Sequence, residues 1–432
     1  MALVILFGIH LLVMYFLSSW ILKKQDPQLQ PYFWVGLILK LGAGIGLGLL
    51  YKYYYHSGDT FGFSDDASKL ANVFWNNPYG YFKFLVGEDE SSTVISTLVN
   101  TQSRSLFFIK IISFINLFTG NNYWITSLYF SLVSFWTAFL LFQKMATSFP
   151  NSKHAAAIAF LFFPSVVFWS SGIIKESLAV AGLFILARVY VILLTNKKPF
   201  WWEWLLAFVS VIIVWRLKYY WIAVFIPVAI TTLLVHYGTK RGNLKTNIKI
   251  LMWIVFFLMF CFGVSFIHPN FYLENFLLVL VDNYNQFINI SPQESVIRYQ
   301  LEATWLSVIL NAPLALMSGL CRPFIWEAQN LLQMIVAIEN LFICFLVASA
   351  LISIRSLNLS PYRLFIFSTS VYIVILCLFL ALSTPNLGTL SRYKIGFQPF
   401  LVFGLLADNV VLAWMNQKLN LFSMLFIKRI KK

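Results

Sequence analysis

The chain alternates between long apolar runs and short charged stretches over its whole length. Runs of about twenty apolar residues are long enough to cross a ~30 Å hydrocarbon core as helices. Setting these runs against the charged stretches predicts about eleven spanning helices. Their approximate positions are 2–22, 31–54, 123–143, 154–171, 176–195, 202–215, 219–237, 248–267, 331–353, 362–383 and 396–415. The pattern therefore predicts an all-α polytopic membrane bundle, with a single transmembrane domain over 1–432.

Two further apolar segments are too short or too polar to be spans. Residues 105–119 carry Lys110, and residues 303–320 are interrupted by Asn311 and Pro313. Segments of this kind are typical of interfacial or re-entrant helices. We expect both on the outer face of the membrane.

Composition supports an integral membrane protein. The 432 residues are 60% hydrophobic and 11% charged, with a mean hydropathy of +0.78, whereas soluble domains carry about 25% charged residues. The net charge of +15 is explained by basic residues in inner loops, so we expect no nucleic-acid partner.

Charge also predicts an orientation with the N-terminus outside and the C-terminus inside. Two long loops, at about 55–122 and 268–330, would then face outward. The expected inner basic residues are Lys23, Lys24, Lys144, Lys153, Lys197, Lys198, Lys240, Arg241, Lys245, Lys249, Arg355, Arg363 and the "KRIKK" tail. The expected outer acidic residues are Asp59, Asp65, Asp66, Glu88, Asp89, Glu90, Glu274, Asp282, Glu294, Glu302 and Glu327.

The cysteines and histidines carry no recognisable pattern. Four cysteines, with no paired spacing, lie mostly in apolar runs, and five histidines are dispersed. We expect the cysteines to be buried packing residues, and we predict no disulfide, no zinc site and no cofactor. We infer no obligatory metal, although the Asp65–Asp66 pair could hold a divalent ion.

The first dense acidic cluster comes directly after the second predicted span, in "HSGDTFGFSDDASKL". Spacing of four residues places Asp59, Phe63 and Ala67 on one stripe of a helix. A carboxylate above apolar rings at a membrane rim could act as a general base on a hydroxyl. Asp59, or the pair Asp65 and Asp66, could carry that role. The alternative is a helix cap with solvated rim charges.

Two other features could bind an anion. In "FFPSVVFWSSGIIKESLAV", Pro164 interrupts a helix and Lys175 and Glu176 begin the next one; a plain loop with a rim ion pair is the alternative. Outer cations near helix ends suggest a shared phosphate, with snorkelling anchors as the alternative. They are Arg216, Lys218, Arg322 (followed by Glu327), Arg392 and Lys394.

The charged residues Lys40, Arg188, Glu339 and Asp408 lie away from the ends of predicted spans. Such residues usually face partners or cavities, and Glu339 or Asp408 could pair with Lys40 or Arg188. A proton-coupled transporter would use residues of this kind. The symmetric Gly/Pro-broken halves of inverted repeats are not recognisable in the sequence.

Taken together, these stretches resemble the GT-C superfamily of polytopic glycosyltransferases, and more narrowly its bacterial members with dolichyl-phosphate-mannose-transferase-like membrane domains. The resemblance spans most of the chain and rests on "GDTFGFSDDA", "PSVVFWSSGIIKE", "APLALMSGLCRPFIWEAQNLLQMIVAIENL" and "NLGTLSRYK".

The resemblance implies transfer of a sugar from a polyprenyl-phosphate donor to a glycan, lipid or protein acceptor, with inversion, at the outer face of a bacterial cytoplasmic membrane. It implies that an acid of the first outer loop is the base, which matches Asp59. Many relatives have two adjacent acids there, whereas here Thr60 follows Asp59, and the Asp65–Asp66 pair comes later. The choice between Asp59 and the pair stays open.

Three other functions remain alternatives. An O-antigen-type polysaccharide polymerase or ligase would rely mainly on outer arginines. A transporter or flippase of a lipid-linked substrate would depend on the intramembrane charges. A non-catalytic membrane subunit would need neither set.

Overall fold

The computed structural model of the protein describes residues 2–23, 25–56, 58–88, 94–149, 151–242, 244–266, 272–353 and 362–407. The sequence predictions for Lys24, Asp89, Glu90, Arg355, Asp408, residues 428–432 and the side chain of Glu274 lie outside this description. Within it, the single β-type contact is an isolated antiparallel bridge between Val296 and Asn386. The described part of the chain is otherwise helical or irregular.

Seventeen α-helices, numbered in chain order, make up the described part of the protein. They are α1 (Ala2–Lys23), α2 (Pro31–Tyr53), α3 (Asp59–Asn76), α4 (Pro78–Val86), α5 (Ser103–Thr119), α6 (Tyr123–Ser148), α7 (Lys153–Ala157), α8 (Pro164–Trp169), α9 (Lys175–Leu194), α10 (Trp201–Gly238), α11 (Thr246–Val264), α12 (Leu273–Ile290), α13 (Trp305–Cys321), α14 (Leu331–Ser353), α15 (Arg363–Ser383), α16 (Leu387–Tyr393) and α17 (Gln398–Leu406).

Eight of the described helices are long and apolar enough to cross a membrane. They are α1, α2, α6, α9, α10, α11, α14 and α15. The prediction of an all-helical membrane bundle is confirmed at this level. The count of about eleven spans is not confirmed, and the interfacial or re-entrant placement of α5 and α13 stays a prediction.

The predicted span 154–171 is divided by a proline. After α7 the chain forms a π-helical turn over Ile158–Phe162, and Phe163 is extended before Pro164 begins α8. Proline has no N–H to donate, and its ring clashes with the preceding turn, so a proline kinks or ends a helix, and at Phe163 the helix ends. The two parts are too short to count as one uninterrupted span.

The predicted spans 202–215 and 219–237 form the two halves of α10. Lys218 interrupts the helix with non-helical backbone angles, φ −144° and ψ 60°. The interruption falls between the two spans that the sequence predicts. The last predicted span, 396–415, is described only through Ala407, and there it consists of a short 3₁₀ turn and α17.

The chain divides into two compact units. Unit 1 contains residues 1–144, 160–189 and 199–222, and unit 2 contains residues 145–159, 190–198 and 223–432. In unit 1, α3 packs on α5 and α4, and α2 packs on α8. In unit 2, α15 contacts α11, α12, α13 and α17, while α14 packs on α13 and α17. The expectation of one transmembrane domain stays a prediction.

Two of the predicted intramembrane charges have identified partners within unit 1. The Arg188 guanidinium forms an ion pair with Glu203 at 2.8 Å and donates to the Leu140 carbonyl at 2.7 Å. The Lys40 ammonium donates to the Val167 carbonyl at 3.4 Å and to the Ser170 hydroxyl. These partners are not among those suggested by the sequence.

Small residues allow α2 to approach its neighbours closely. A Cβ atom added at Gly44 would overlap the Ser131 hydroxyl. That hydroxyl cannot simply rotate away, because it accepts a hydrogen bond from the Gly172 N–H at 2.9 Å. Gly172 itself has a φ of +72°, which favours glycine.

We therefore predict that Gly44→Ala destabilises the protein by about 1–3 kcal/mol, the usual cost of overpacking. Thermal unfolding in detergent would measure the change. Gly42→Ala on the same helix is the matched control, because a Cβ there has no neighbour within 4 Å. It should leave the melting temperature unchanged or raise it slightly, since alanine favours helix. Equal effects of the two substitutions would contradict this packing.

Candidate functional site

Asp59 is the first residue of α3, and its side chain is exposed. The preceding Gly58 has a φ of +135°, and the Thr60 hydroxyl shares a hydrogen bond of 2.9 Å with the Tyr123 hydroxyl. Phe63, one turn further along the stripe, is 2% exposed. The first turn of α3 thus carries an accessible carboxylate above a buried ring, at a helix end whose dipole favours negative charge.

The two acids of the later pair lie in different environments. Asp65 is exposed, whereas Asp66 is 1% exposed. The Asp66 carboxylate accepts hydrogen bonds from the backbone N–H groups of Val99 and Asn100, at 3.1 and 2.9 Å, and from the Asn100 side chain at 3.0 Å. Lys69 adds an ion pair at 3.3 Å.

These hydrogen bonds determine the direction in which the pKa of Asp66 is shifted. Burial alone would raise its pKa, but the hydrogen bonds from Asn100, Val99 and Lys69 outweigh burial and lower the pKa. A carboxylate held by several donors is a poor proton acceptor. The Asp66 carboxylate and its donors Val99 and Asn100, here called the clamp, join α3 to the segment preceding α5.

Lys175 connects the start of α9 to α5 and α3. Its ammonium donates to the Ser105 hydroxyl at 2.9 Å and lies 4.8 Å from the centre of the Phe63 ring. The same ring lies one helical turn beyond Asp59 on α3. The Phe63 side chain therefore contacts Lys175 and lies on the same helical stripe as the exposed Asp59.

Glu176, the residue after Lys175 in α9, contacts α10 at its kink. Glu176 is fully buried and forms an ion pair with Lys218 at 2.6 Å. Lys218 is itself 5% exposed, and it is the residue at which α10 is interrupted. Because breaking a buried pair leaves an uncompensated charge, this contact fixes the kink against the start of α9.

Two arginines complete the group, and both lie over aromatic rings. The Arg216 guanidinium is 5.7 Å from the centre of the Phe107 ring, and the Arg104 guanidinium is 4.6 Å from that of Tyr219. Both arginines are exposed. Arg104 was missed by sequence reasoning, although it directly precedes the apolar part of a loop that we predicted to face outward.

We call Arg104, Lys175, Glu176, Arg216 and Lys218 the cation cluster. Its residues come from the first turns of α5 and α9 and from the kink of α10, all within unit 1. Four cations and one carboxylate leave it with a charge of +3. Arginine binds phosphate in a bidentate manner and lysine acts as a point charge, so the cluster has the chemistry of an anion site.

The remaining predicted residues lie in unit 2, where Arg322, Glu327 and Lys394 contact other protein groups. Arg322 forms a two-bond ion pair with Glu327, with 3.1 Å between Nε and Oε2. Glu327 also accepts the Phe324 N–H at 2.9 Å. Burial would raise the pKa of Glu327, but the bonds from Arg322 and Phe324 outweigh it and lower the pKa.

Lys394 donates a hydrogen bond at the C-terminal end of α13. It is 2% exposed, and its ammonium donates to the Arg322 carbonyl at 2.7 Å. Arg322 is the C-cap of α13, where a cation and a donor satisfy the last carbonyl groups. Arg392, in the last turn of α16, is partly exposed. The geometry gives Lys394 a structural role rather than that of a phosphate ligand.

Within the described ranges, no three or more His, Cys, Asp or Glu side chains are close enough together to hold a metal ion. In comparisons with known proteins, no family model matches the sequence, and no curated protein or solved structure was found to be similar to it.

The clamp formed by Asp66 leads to a stability prediction. Asp66→Asn places an amide N–H₂ group opposite buried backbone donors, and we expect it to cost about 1–3 kcal/mol. Thermal unfolding in detergent measures this cost, and proteolysis should become faster near residues 97–100. Asp65→Asn, at the exposed neighbour, is the control and should change neither measurement. An Asp66→Asn protein as stable as the control would rule out the clamp.

The buried Lys394 leads to a prediction about pH. Burial lowers its pKa from 10.5 to about 8. Between these values the unfolded chain holds a proton that the folded protein has released, so stability should rise as the pH increases from about 8 to about 10.5. We expect the melting temperature of the wild type to rise in this window relative to that of Lys394→Met. Parallel pH profiles of the two proteins would contradict the prediction.

Proposed function

We propose that the protein is a membrane glycosyltransferase of the GT-C type, which transfers a sugar from a polyprenyl-phosphate donor to an acceptor hydroxyl. The observation that carries this proposal is that Lys175 of the cation cluster lies against the ring of Phe63, and Phe63 is one helical turn from the exposed Asp59. A phosphate-bearing donor needs cations for its phosphate, and an acceptor hydroxyl needs a base. The two requirements are met by neighbouring turns of one unit.

The cluster would stabilise the departing lipid phosphate. Lys218 forms an ion pair with Glu176, and Arg104, Lys175 and Arg216 are the other three cations of the cluster. Each of the three lies over an aromatic ring, Arg104 over a ring of α10, Lys175 over a ring of α3 and Arg216 over a ring of α5. Stabilisation of a developing charge commonly contributes on the order of 3–4 kcal/mol per well-placed donor.

Asp59 would act as the general base. Its carboxylate takes the proton of the acceptor hydroxyl while the hydroxyl oxygen bonds to the anomeric carbon. The bond between that carbon and the phosphate oxygen breaks at the same time, and the phosphate leaves with the electron pair. Attack opposite the leaving group inverts the anomeric configuration. Asp66 is the weaker candidate because its oxygens are engaged by four donor groups.

We further propose that the site faces outward from a bacterial cytoplasmic membrane. The support is the charge asymmetry, in which basic residues gather in one set of loops and acidic residues in the other. α3, α4 and α5 then form a cap on the outer face. A donor could reach this depth with its lipid tail still in the hydrocarbon.

A second function, that of an O-antigen-type polymerase or ligase, is favoured by Arg104 and Arg216. Both arginines are exposed and both belong to the cluster. Such an enzyme would use them without an aspartate base. The two functions therefore make opposite predictions for Asp59.

The decisive experiment compares binding with turnover. Polyprenyl phosphate, the lipid that the reaction would release, tests the cluster without knowledge of the sugar. We expect Lys175→Gln and Arg104→Gln each to weaken its binding by about tenfold, which corresponds to one charged hydrogen bond. Asp59→Asn should leave binding nearly intact while lowering turnover of a panel of polyprenyl-phosphate sugars by about 10²–10⁴.

Three controls make the result interpretable. Asp65→Asn is an exposed acid of the same helix and should behave like the wild type. Lys175→Arg keeps the charge and should retain most of the binding. Lys83→Gln removes a cation of α4 that lies over Tyr79 instead. Unchanged binding in both cluster variants would refute the anion site, and full turnover of Asp59→Asn with inactive arginine variants would favour the polymerase.

A further inference from the structure

Two cysteine side chains of unit 2 lie unusually close together. Cys321 is the last residue of α13 and Cys344 lies within α14, and their sulfur atoms are 2.8 Å apart. Non-bonded heavy atoms are ordinarily about 3.5–4.0 Å apart, whereas bonded sulfurs are about 2.05 Å apart. Both residues are free thiols in this structure.

Hydrogen bonds hold the two thiols in this arrangement. The Asn340 side chain, one turn before Cys344 on α14, donates to the Pro323 carbonyl at 3.2 Å. Lys394 donates to the Arg322 carbonyl at 2.7 Å. The two residues that follow Cys321 are thus fixed by different elements, and Cys321 does not reach Cys344 merely by rotation of a loose loop. Fixed proximity of this kind favours a reaction between the two groups.

We propose that Cys321 and Cys344 form an intramolecular disulfide that joins the end of α13 to α14. This replaces the sequence-based expectation that no cysteine pairs. The bond closes a loop containing the Arg322–Glu327 ion pair and the carbonyl that Lys394 caps. It is a modification site that does not depend on the proposed transferase activity.

The oxidation needs an acceptor for two electrons. In the cell, the disulfide of a thiol oxidoreductase supplies it: one thiolate attacks that disulfide and forms a mixed disulfide, and the second thiolate displaces the reduced oxidoreductase. Two S–H bonds break, one S–S bond forms, and the oxidoreductase leaves as a dithiol. Because both thiols are partly withdrawn from water, we expect the bond to form while the chain folds.

The other two cysteines provide internal comparisons. Cys377 is buried in α15, where its sulfur lies against Gly319 and 3.9 Å from the Leu316 carbonyl. Cys261 is exposed on α11. A specific bond between the proposed partners should leave both of these residues as free thiols.

The test uses the full-length protein in isolated membranes, without reductant and after brief treatment with diamide, an azo compound that accepts two electrons and two protons from a dithiol. The protein is denatured, alkylated with N-ethylmaleimide, digested and analysed by mass spectrometry. We expect most chains to yield one disulfide-linked peptide pair containing Cys321 and Cys344, with Cys261 and Cys377 alkylated. Reduction before alkylation should abolish the linked pair.

Variants separate this bond from non-specific oxidation. In Cys321→Ser, Cys344 should become alkylated, and in Cys344→Ser the converse should hold. Cys261→Ser is the control and should keep the linked pair at the wild-type level. Alkylation of both Cys321 and Cys344 after diamide treatment would overturn the proposal, as would a dominant bond from either residue to Cys377. The wild-type measurement decides the matter even if a variant fails to fold.

Discussion

A helix that ends in apolar surroundings leaves its last carbonyl groups without donors, and this constraint determines where two buried lysines of the protein lie. In unit 1, Lys40 donates to the Val167 carbonyl near the end of α8. In unit 2, Lys394 donates to the Arg322 carbonyl at the end of α13. In each unit an amine from a distant part of the chain donates to a carbonyl group near a helix end, and in unit 1 the Ser171 hydroxyl donates to the same Val167 carbonyl at 2.6 Å. The fold can therefore contain short helices such as α8 without leaving those carbonyl groups unmatched.

The same reasoning separates the structural cations from those available to a ligand. Lys218 is committed to Glu176, Arg322 to Glu327 and Lys394 to a carbonyl group. The other three cations of the cluster lie over aromatic rings, and a ring attracts a cation without neutralising its charge. Arg104, Arg216 and Lys175 keep their positive charge while being held in place. This distinction supports the proposal that the cluster of unit 1 binds an anion.

Much of the architecture was predictable because apolar length is a property of the local sequence. Runs of hydrophobic residues located the eight candidate spans, and Pro164 and the "WRLKYY" stretch marked the two interruptions. Partners were not predictable in this way. The sequence suggested Glu339 or Asp408 as the ion-pair partner of Arg188, whereas the structure shows Glu203 as the partner. Contacts between helices depend on the rotation and depth of each helix, which composition does not determine.

The candidate site shows the same division between local and distant information. The stripe of Asp59 and Phe63 follows from helical spacing, and its burial pattern agrees with that spacing. The different environments of Asp65 and Asp66 depend on Val99 and Asn100, more than thirty residues away. Arg104 was overlooked because an arginine in a polar loop carries no signal until its ring partner on α10 is known.

The buried caps also have a consequence for biogenesis. Lys40 precedes its carbonyl acceptor by 127 residues, whereas Lys394 follows its acceptor by 72. At about 5–20 residues per second, Lys40 is synthesised roughly 6–25 s before Val167. During that interval α2 holds an amine whose final acceptor has not yet been made, and the insertion machinery or interfacial water has to accommodate it. The carbonyl acceptor of Lys394 is synthesised before Lys394 itself. Of these two lysines, only Lys40 is therefore made before its acceptor.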